Sequence, residues 1–135
     1  NLRRYAAYGG DLPLPGDVDP ISRFVRGRYF LDHLPEPATA EQALAGGVGV
    51  VRAMSVPFGA PSEPFGTYPT WWISGMDLVS GTYVFQSTLS PFAVWAELPS
   101  LRARALAEGP LAMDTADPAS AGDVAPLLEA VPLPY

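Results

Sequence analysis

The sequence contains no cysteine and no lysine, and its single histidine is His33. Without a thiol the chain can form neither a disulfide nor a Cys-x-x-Cys metal site, and it supplies no cysteine nucleophile. A lone histidine near the end of a predicted helix is more typical of a cap for helix carbonyls than of a catalytic base or a metal ligand. Because no carboxylate cluster at ligand spacing replaces these groups, we predict that the chain holds no metal and no cofactor.

Positive charge and long apolar runs are scarce as well. Eight arginines stand against fourteen acidic residues, which gives a formal net charge of −6 at pH 7. Nucleic-acid binding requires a basic patch that meets the phosphates, so this charge argues against a nucleic-acid partner. No apolar stretch approaches the roughly 20 residues that a membrane-spanning helix needs, so no membrane span is predicted.

Two familiar catalytic signatures are missing too. Ser55, Ser74 and Ser87 all lie outside a Gly-x-Ser-x-Gly elbow of the kind that serine hydrolases use. The glycine-rich segment 46–49 has neither the preceding strand nor the following lysine of a phosphate-binding loop. Neither a serine hydrolase nor a nucleotide-binding protein is indicated.

The first well-marked element is a helix that carries two arginines. Asp19 is a favoured N-cap residue and Pro20 suits the first helical position, so the helix should begin there. It should end near His33, because two X-Pro pairs follow. Arg23 and Arg26 lie three residues apart and share one face of this helix.

A second helix is predicted from a capping box. Thr39 and Gln42 are three residues apart. At this spacing the side chain of each residue can accept a hydrogen bond from the backbone N–H of the other. Both helices carry apolar residues at helical spacing, which predicts one buried face for each. These residues are Ile21, Phe24 and Val25 in the first helix, and Leu44, Val48 and Val51 in the second.

From Thr70 the apolar pattern changes to a period of two. Two alternating segments, 70–76 and 83–86, flank a turn in which Asp77 is a turn former, and they predict a β-hairpin. A third strand is predicted over 93–98, with one or two helical turns over 99–108 that direct Leu101, Ala105 and Leu106 inward. Since the strands are apolar on both faces, we expect helices on one side of the sheet and a second sheet on the other.

The end of the chain has a different composition. Residues 105–135 contain five acidic and no basic residues, whereas residues 1–104 contain nine acidic and eight basic ones. From Gly109 onward the sequence is rich in alanine, proline and aspartate and shows no periodicity, which is typical of a mobile segment. We therefore predict a folded part over 1–108 and an acidic, mobile tail over 109–135.

Three motifs, in order, resemble one enzyme family. The segment 14–17, Leu-Pro-Gly-Asp, and the segment 22–26, Ser-Arg-Phe-Val-Arg, are similar to the LPGD...SRFVR signature of the choloylglycine hydrolase family. These are linear amide C–N hydrolases and include bile salt hydrolases and penicillin V acylases. The segments 1–5 and 70–85 resemble the family's Asn-Leu-x-x-Tyr helix and its late hairpin, so the resemblance covers residues 1 to 100.

The resemblance implies a fold and indicates which part of the domain carries the nucleophile. The fold would be α+β, part of a four-layer αββα sandwich of an N-terminal-nucleophile (Ntn) hydrolase, with two helices followed by an antiparallel strand meander. Residues 1–108 would be the C-terminal part of that domain, and its partner would be the N-terminal half of the same domain. The family's nucleophile is an N-terminal cysteine that this chain lacks, so the segment alone is predicted to be inactive.

Arg23 is the one candidate catalytic residue. From the residues alone, an arginine here would most simply pair with Asp17 or Asp19 at the surface. The resemblance implies a different role, in which Arg23 lies beside the nucleophilic cysteine, favours its thiolate and stabilises charge on the attacked carbonyl. Arg26, one turn further on, is expected to be structural.

The implied substrate is a small-molecule amide, such as a conjugated bile acid, an acyl-homoserine lactone or the side chain of penicillin V. The alternative is a non-catalytic remnant or interaction module whose exposed sheet edge docks on a partner chain. The sequence leaves open whether the protein forms a homo-oligomer and whether it resides in a bacterial cytoplasm or periplasm.

Overall fold

The computed structural model describes residues 2–62, 66–115, 117 and 119–132. The chain folds as two compact units, Asn1–Thr70 and Trp71–Tyr135. The first unit contains 3-10 helices at Leu2–Arg4 and Ala6–Tyr8, helices α1 (Pro20–Asp32) and α2 (Ala40–Ala53), and strands β1 (Pro61–Ser62) and β2 (Gly66–Thr67). The second contains β3 (Trp72–Met76), β4 (Thr82–Ser87), β5 (Val94–Glu97), helix α3 (Leu98–Glu108), β6 (Leu111–Ala112), β7 (Gly122–Asp123), a 3-10 helix at Ala125–Leu127 and β8 (Glu129–Ala130).

Helix α1 begins and ends where the sequence predicts. The Asp19 carboxylate accepts the amide of Ile21 at 2.8 Å, Pro20 occupies the first turn, and the helix ends at Asp32 with His33 as its C-cap. The predicted buried face is only partly right, because Val25 is fully buried whereas Ile21 and Phe24 are 49% and 56% exposed.

The side of α1 that meets α2 explains this difference. Arg23 and Arg26 on α1 bind main-chain carbonyls at the end of α2, and Gly27 packs against Met54. A Cβ at Gly27 would overlap the Met54 sulfur, so only glycine allows this approach without displacing that side chain. The contact face therefore includes a glycine and two arginines, which an apolar pattern does not identify.

Helix α2 confirms the predicted capping box with one change. The Thr39 hydroxyl accepts the Gln42 amide at 3.2 Å, whereas the Gln42 side chain accepts the amide of Ala38 rather than that of Thr39. In the predicted apolar stripe, Val48 is buried and Leu44 and Val51 are half-buried.

The second unit is built on a four-stranded sheet of order β3-β4-β5-β7. Strands β3 and β4 pair antiparallel from Trp72 opposite Ser87 to Met76 opposite Tyr83, and β5 pairs antiparallel with β4. The predicted hairpin and third strand are thus confirmed. Strand β7 adds a short parallel pairing, with Gly122 opposite Val94.

The turn between β3 and β4 is ordered by Asp77, as its sequence position predicts. The Asp77 carboxylate accepts the Val79 amide at 2.9 Å and the Ser80 hydroxyl at 2.6 Å. The Ser80 hydroxyl is the main reason why the pKa of Asp77 lies below its usual range. Gly81 closes the turn at a φ of 75°, and a Cβ there would lie 2.8 Å from Pro99 Cδ. The turn thus requires glycine at this position for two reasons.

The core of the second unit includes a residue from the segment expected to be a tail. Val94, Ala96 and Val124 are 8%, 7% and 4% exposed and form one cluster, against which half-buried residues pack. These are Phe85, Leu101, Met113 and Ala125. Leu101 is thus directed inward as predicted, whereas the same prediction is wrong for Ala105 and Leu106, which are both exposed.

The chain after Gly109 has regular structure. Strands β6 and β8 pair antiparallel, β7 joins the main sheet and the buried Val124 follows it directly. The described residues of this segment therefore contain regular secondary structure that was not predicted from the sequence, while the mobility of the segment stays a prediction. This regular structure was missed because strands of two residues are too short to show a period. Whether the segment is mobile is a separate question, which substitutions at Val124 decide.

Among the described residues, no helix combines the length and apolarity needed to cross a membrane.

Candidate functional site

The loop at 14–19 is fastened to both helices of the first unit by Arg26. The Arg26 Nη1 donates to the carbonyls of Pro15 and Asp17, at 3.0 and 2.6 Å, and its Nε donates to the carbonyl of Ala53 at 3.1 Å. One guanidinium therefore joins the loop, α1 and the end of α2. A planar fork with several donors suits this task, whereas a lysine ammonium would not hold the same geometry.

Ser22 and Asp17 stabilise the loop from within. Ser22 is 3% exposed, and its hydroxyl donates to the Asp17 carboxylate, which also accepts the amide of Asp19 at 2.9 Å. The Ser22 hydroxyl is the largest cause of a lowered pKa at Asp17, and the Asp19 amide and the positive charge of Arg26 act in the same direction. The loop thus favours a charged Asp17.

The side chain of Arg23 is held at the end of α2 by a single hydrogen bond. Its Nε donates to the carbonyl of Met54 at 2.7 Å, and the side chain is half-buried. Within the described part of the chain, its Nη1 and Nη2 groups make no hydrogen bond, and no ion pair joins them to Asp17 or Asp19. Arg23 therefore does not form the surface ion pair with Asp17 or Asp19 that the residues alone suggested.

The two carbonyls that receive the arginines belong to the end of α2. The last carbonyls of a helix have no partner within the helix and carry the negative end of its dipole, so they are natural acceptors for guanidinium groups. Ala53 and Met54 supply two of them, one to each arginine. The end of α2 thereby fixes the direction in which the remaining nitrogens of Arg23 point.

Sequence reasoning found Arg23 and Arg26 but not all of their partners. Ser22 is part of the motif that carried the resemblance, but its burial and its bond to Asp17 were not predicted. The carbonyls of Ala53 and Met54 have no sequence signature, because every residue has a carbonyl. Gly27 could have been noticed as a glycine inside a helix, which usually marks a close approach.

No group of three or more His, Asp or Glu residues in the described ranges is placed to hold a metal ion. His33, at the end of α1, places its Nδ1 2.7 Å from the carbonyl of Tyr29 and stacks on the Tyr29 ring. This arrangement is that of a helix-end residue and not of a ligand.

Asp17 should make the first unit sensitive to acid. Because its pKa is lowered in the folded state, its stabilising contribution is present above the unfolded value of 3.8 and is lost as the pH falls through the lower folded pKa. We expect Asp17→Asn to flatten the decline in stability between roughly pH 5 and pH 2, by less than about 1 kcal/mol because the carboxylate is exposed. Thermal melts across this range measure it, with Asp11→Asn as the control for loss of an exposed acid. An unchanged acid dependence in Asp17→Asn would contradict the assignment.

The fold matches that of a solved hydrolase. The structure of penicillin V acylase from Agrobacterium tumefaciens superimposes with a TM-score of 0.66 at 21% sequence identity, over 88% of this chain and 39% of that chain. The chain therefore has the α+β fold of part of an Ntn hydrolase, as predicted.

The sequence comparison narrows this class to a family. The family model for linear amide C–N hydrolases, choloylglycine hydrolase family, matches residues 1–104, and the chain belongs to this family. A curated relative, penicillin V acylase of Pectobacterium atrosepticum, is 30% identical over 107 residues, which are 69% of this chain and 28% of the relative. The chain thus spans between a quarter and two fifths of the lengths of these two proteins.

Proposed function

We propose that this chain is the C-terminal part of an enzyme that hydrolyses linear amide C–N bonds. The nucleophile would be an N-terminal cysteine on chain outside these 135 residues. The α-amine of this cysteine would take the thiol proton, the thiolate would attack the amide carbonyl, and the C–N bond would break as the α-amine passes that proton to the leaving amine. Water would then cleave the thioester, which releases the acid and restores the thiol. The proposal draws on the family membership and on the geometry of Arg23.

The single observation that carries the role of Arg23 is that, among the described residues, only the Nε–H of its guanidinium is hydrogen-bonded. The Nε–H is used to fix the side chain on the Met54 carbonyl, and no described residue occupies the two Nη groups. A cation held in this way can favour a thiolate and can donate to an oxyanion without first breaking bonds of its own. Arg26 is bound at three carbonyls and is therefore proposed to be structural.

The remaining partners follow from the same proposal. The N-terminal half of the domain would supply the nucleophile and complete the active site. The substrate would be a small-molecule amide, and the penicillin V acylase relatives favour an acyl group such as the side chain of penicillin V. Conjugated bile acids and acyl-homoserine lactones are the other members of the substrate panel.

The test is an amidase assay on the protein expressed from the complete reading frame. We expect the protein to release a primary amine, detected with ninhydrin, from at least one amide of this panel, and iodoacetamide to abolish the release by alkylating the thiolate. The purified chain 1–135 is the matched control and should be inactive because it has no cysteine. Turnover by this chain that survives iodoacetamide would contradict the assignment of the chemistry to a cysteine elsewhere. Failure of the complete protein on every amide would favour the alternative, a non-catalytic interaction module.

A further inference from the structure

The second unit contains a cavity of about 500 Å³ between its sheet and helix α3. Its lining includes Phe85 and Val94 on the sheet, Leu101 on α3, and Met113. Val124 also lines it. All of the lining residues belong to the second unit, so this cavity is separate in sequence from the loop and helices that carry Arg23.

The size and lining of the cavity are those of a small-molecule site. The cavity is open to the surface on the side of the exposed residues Arg102 and Ala105. Cavities of roughly 300–1,000 Å³ lined mainly by apolar side chains with a few polar groups are typical of ligand sites. The apolar lining would bind an acyl chain or an aryl ring.

The polar groups of the lining indicate the rest of the ligand. Arg102 lines the cavity together with the hydroxyl-bearing residues Tyr83 and Thr115, and no described lining residue is acidic. The cavity therefore presents one positive charge and no negative charge, which complements an anion.

A comparison of the two arginines of α3 strengthens this conclusion. Arg104 is occupied, because it pairs with Glu108 at 3.3 Å and donates to the carbonyls of Ala125 and Leu128. Arg102 is exposed and forms no hydrogen bond or ion pair with any residue in the described ranges. A guanidinium beside an apolar cavity can bind a carboxylate through two parallel hydrogen bonds.

We propose that this cavity binds an amphipathic monocarboxylic acid. The apolar body lies among Phe85, Leu101 and Met113, and the carboxylate binds Arg102. The proposal goes beyond the amidase function and does not rest on it, because it concerns binding by residues of the second unit alone.

Isothermal titration of the complete protein with decanoate tests the proposal, with decanol as the uncharged analogue. We expect one site for decanoate and at least about tenfold weaker binding of decanol, because decanol cannot form the charge-assisted pair. The proposal would be overturned if decanoate did not bind, or if decanoate and decanol bound with equal affinity. This test uses the unmodified protein.

Substitutions locate the site. Arg102→Met should weaken decanoate binding at least about tenfold, and Ala105→Trp should do the same by filling the cavity, since Ala105 lines it. The matched controls are Arg28→Met, which removes a charge that pairs with Asp32 in the first unit, and Ala107→Trp, which adds the same ring outside the lining of the cavity. Both controls should stay within about twofold of the unmodified protein. Equal effects of a test variant and its control would overturn the proposal.

One further variant separates this proposal from the amidase function. Arg23→Ala should leave the affinity for decanoate unchanged, because Arg23 does not line the cavity. A loss of decanoate binding in Arg23→Ala would assign the bound acid to the amidase site and overturn the second site. Decanoate binding by a protein that hydrolyses none of the amides would sustain this proposal while the amidase proposal fails.

Discussion

Arg23→Ala in the complete enzyme should lower kcat by about a hundredfold or more, with little loss of stability. The reason is that the Nε and the two Nη groups of this guanidinium have different roles. Its Nε bond to the Met54 carbonyl fixes the side chain, and the two Nη groups that no described residue uses are proposed to act on charge that develops during the reaction. Steady-state kinetics measure the effect, and a thermal melt of the same variant measures its stability.

Two further variants interpret the result. Arg23→Lys should restore activity only in part, because an ammonium supplies the charge but not a fork that binds two partners at once. Arg26→Ala should have a smaller effect on kcat and a larger one on stability, since it removes three bonds to main-chain carbonyls. An Arg23→Ala enzyme within about threefold of wild type would remove the catalytic role, because the proposed charge stabilisation is worth far more.

Val124→Asp should destabilise the second unit by about 3 kcal/mol or more. Val124 is 4% exposed and packs with Val94 and Ala96, so an aspartate would bury a carboxylate beside apolar neighbours. Val124→Ala should cost about 2 kcal/mol, because it removes two buried methyl groups without adding a charge. Urea titrations of the complete protein, followed by tryptophan fluorescence, measure both losses.

Leu127→Asp is the matched control for this prediction. Leu127 is the last residue of the 3-10 helix that follows Val124, and 51% of its surface is exposed. The same charge there should have only a small effect on the free energy of unfolding. If Val124→Asp and Leu127→Asp behaved alike and neither lowered stability, the segment after Gly109 would be the mobile tail that its composition suggests.

Local signals made the helix ends and the hairpin predictable. Asp19 caps α1, Thr39 caps α2 and Asp77 orders the turn, and each acts through bonds to residues two or three positions away. Such short-range chemistry is written in the sequence itself, because both partners lie in the same short segment. The pairing of β3 with β4 was predictable for the same reason, because one short turn joins the two strands.

Features that depend on residues distant in the chain could not be predicted in this way. Val124 becomes a core residue only because β7 pairs with β5, and a two-residue strand has no period to recognise. Ile21 and Phe24 have helical spacing, yet both are exposed, and the contact between α1 and α2 includes Gly27 and two arginines. At the candidate site the sequence indicated the donors, Arg23 and Arg26, but not their acceptors. The catalytic role of Arg23 stays a prediction.

The polar contact between α1 and α2 has a consequence for how its opening can be observed. In the bonds from Arg23 and Arg26 to the end of α2, both donors are side-chain Nε–H groups and both acceptors are main-chain carbonyls. Backbone amide exchange would not register the breaking of these bonds, because no amide proton takes part in them. The Nε–H proton of each arginine is the direct reporter, and nuclear magnetic resonance can follow its exchange with solvent. Rapid exchange at Arg23 alongside slow exchange at Arg26 would mean that the helices stay together while the proposed catalytic guanidinium is free to move.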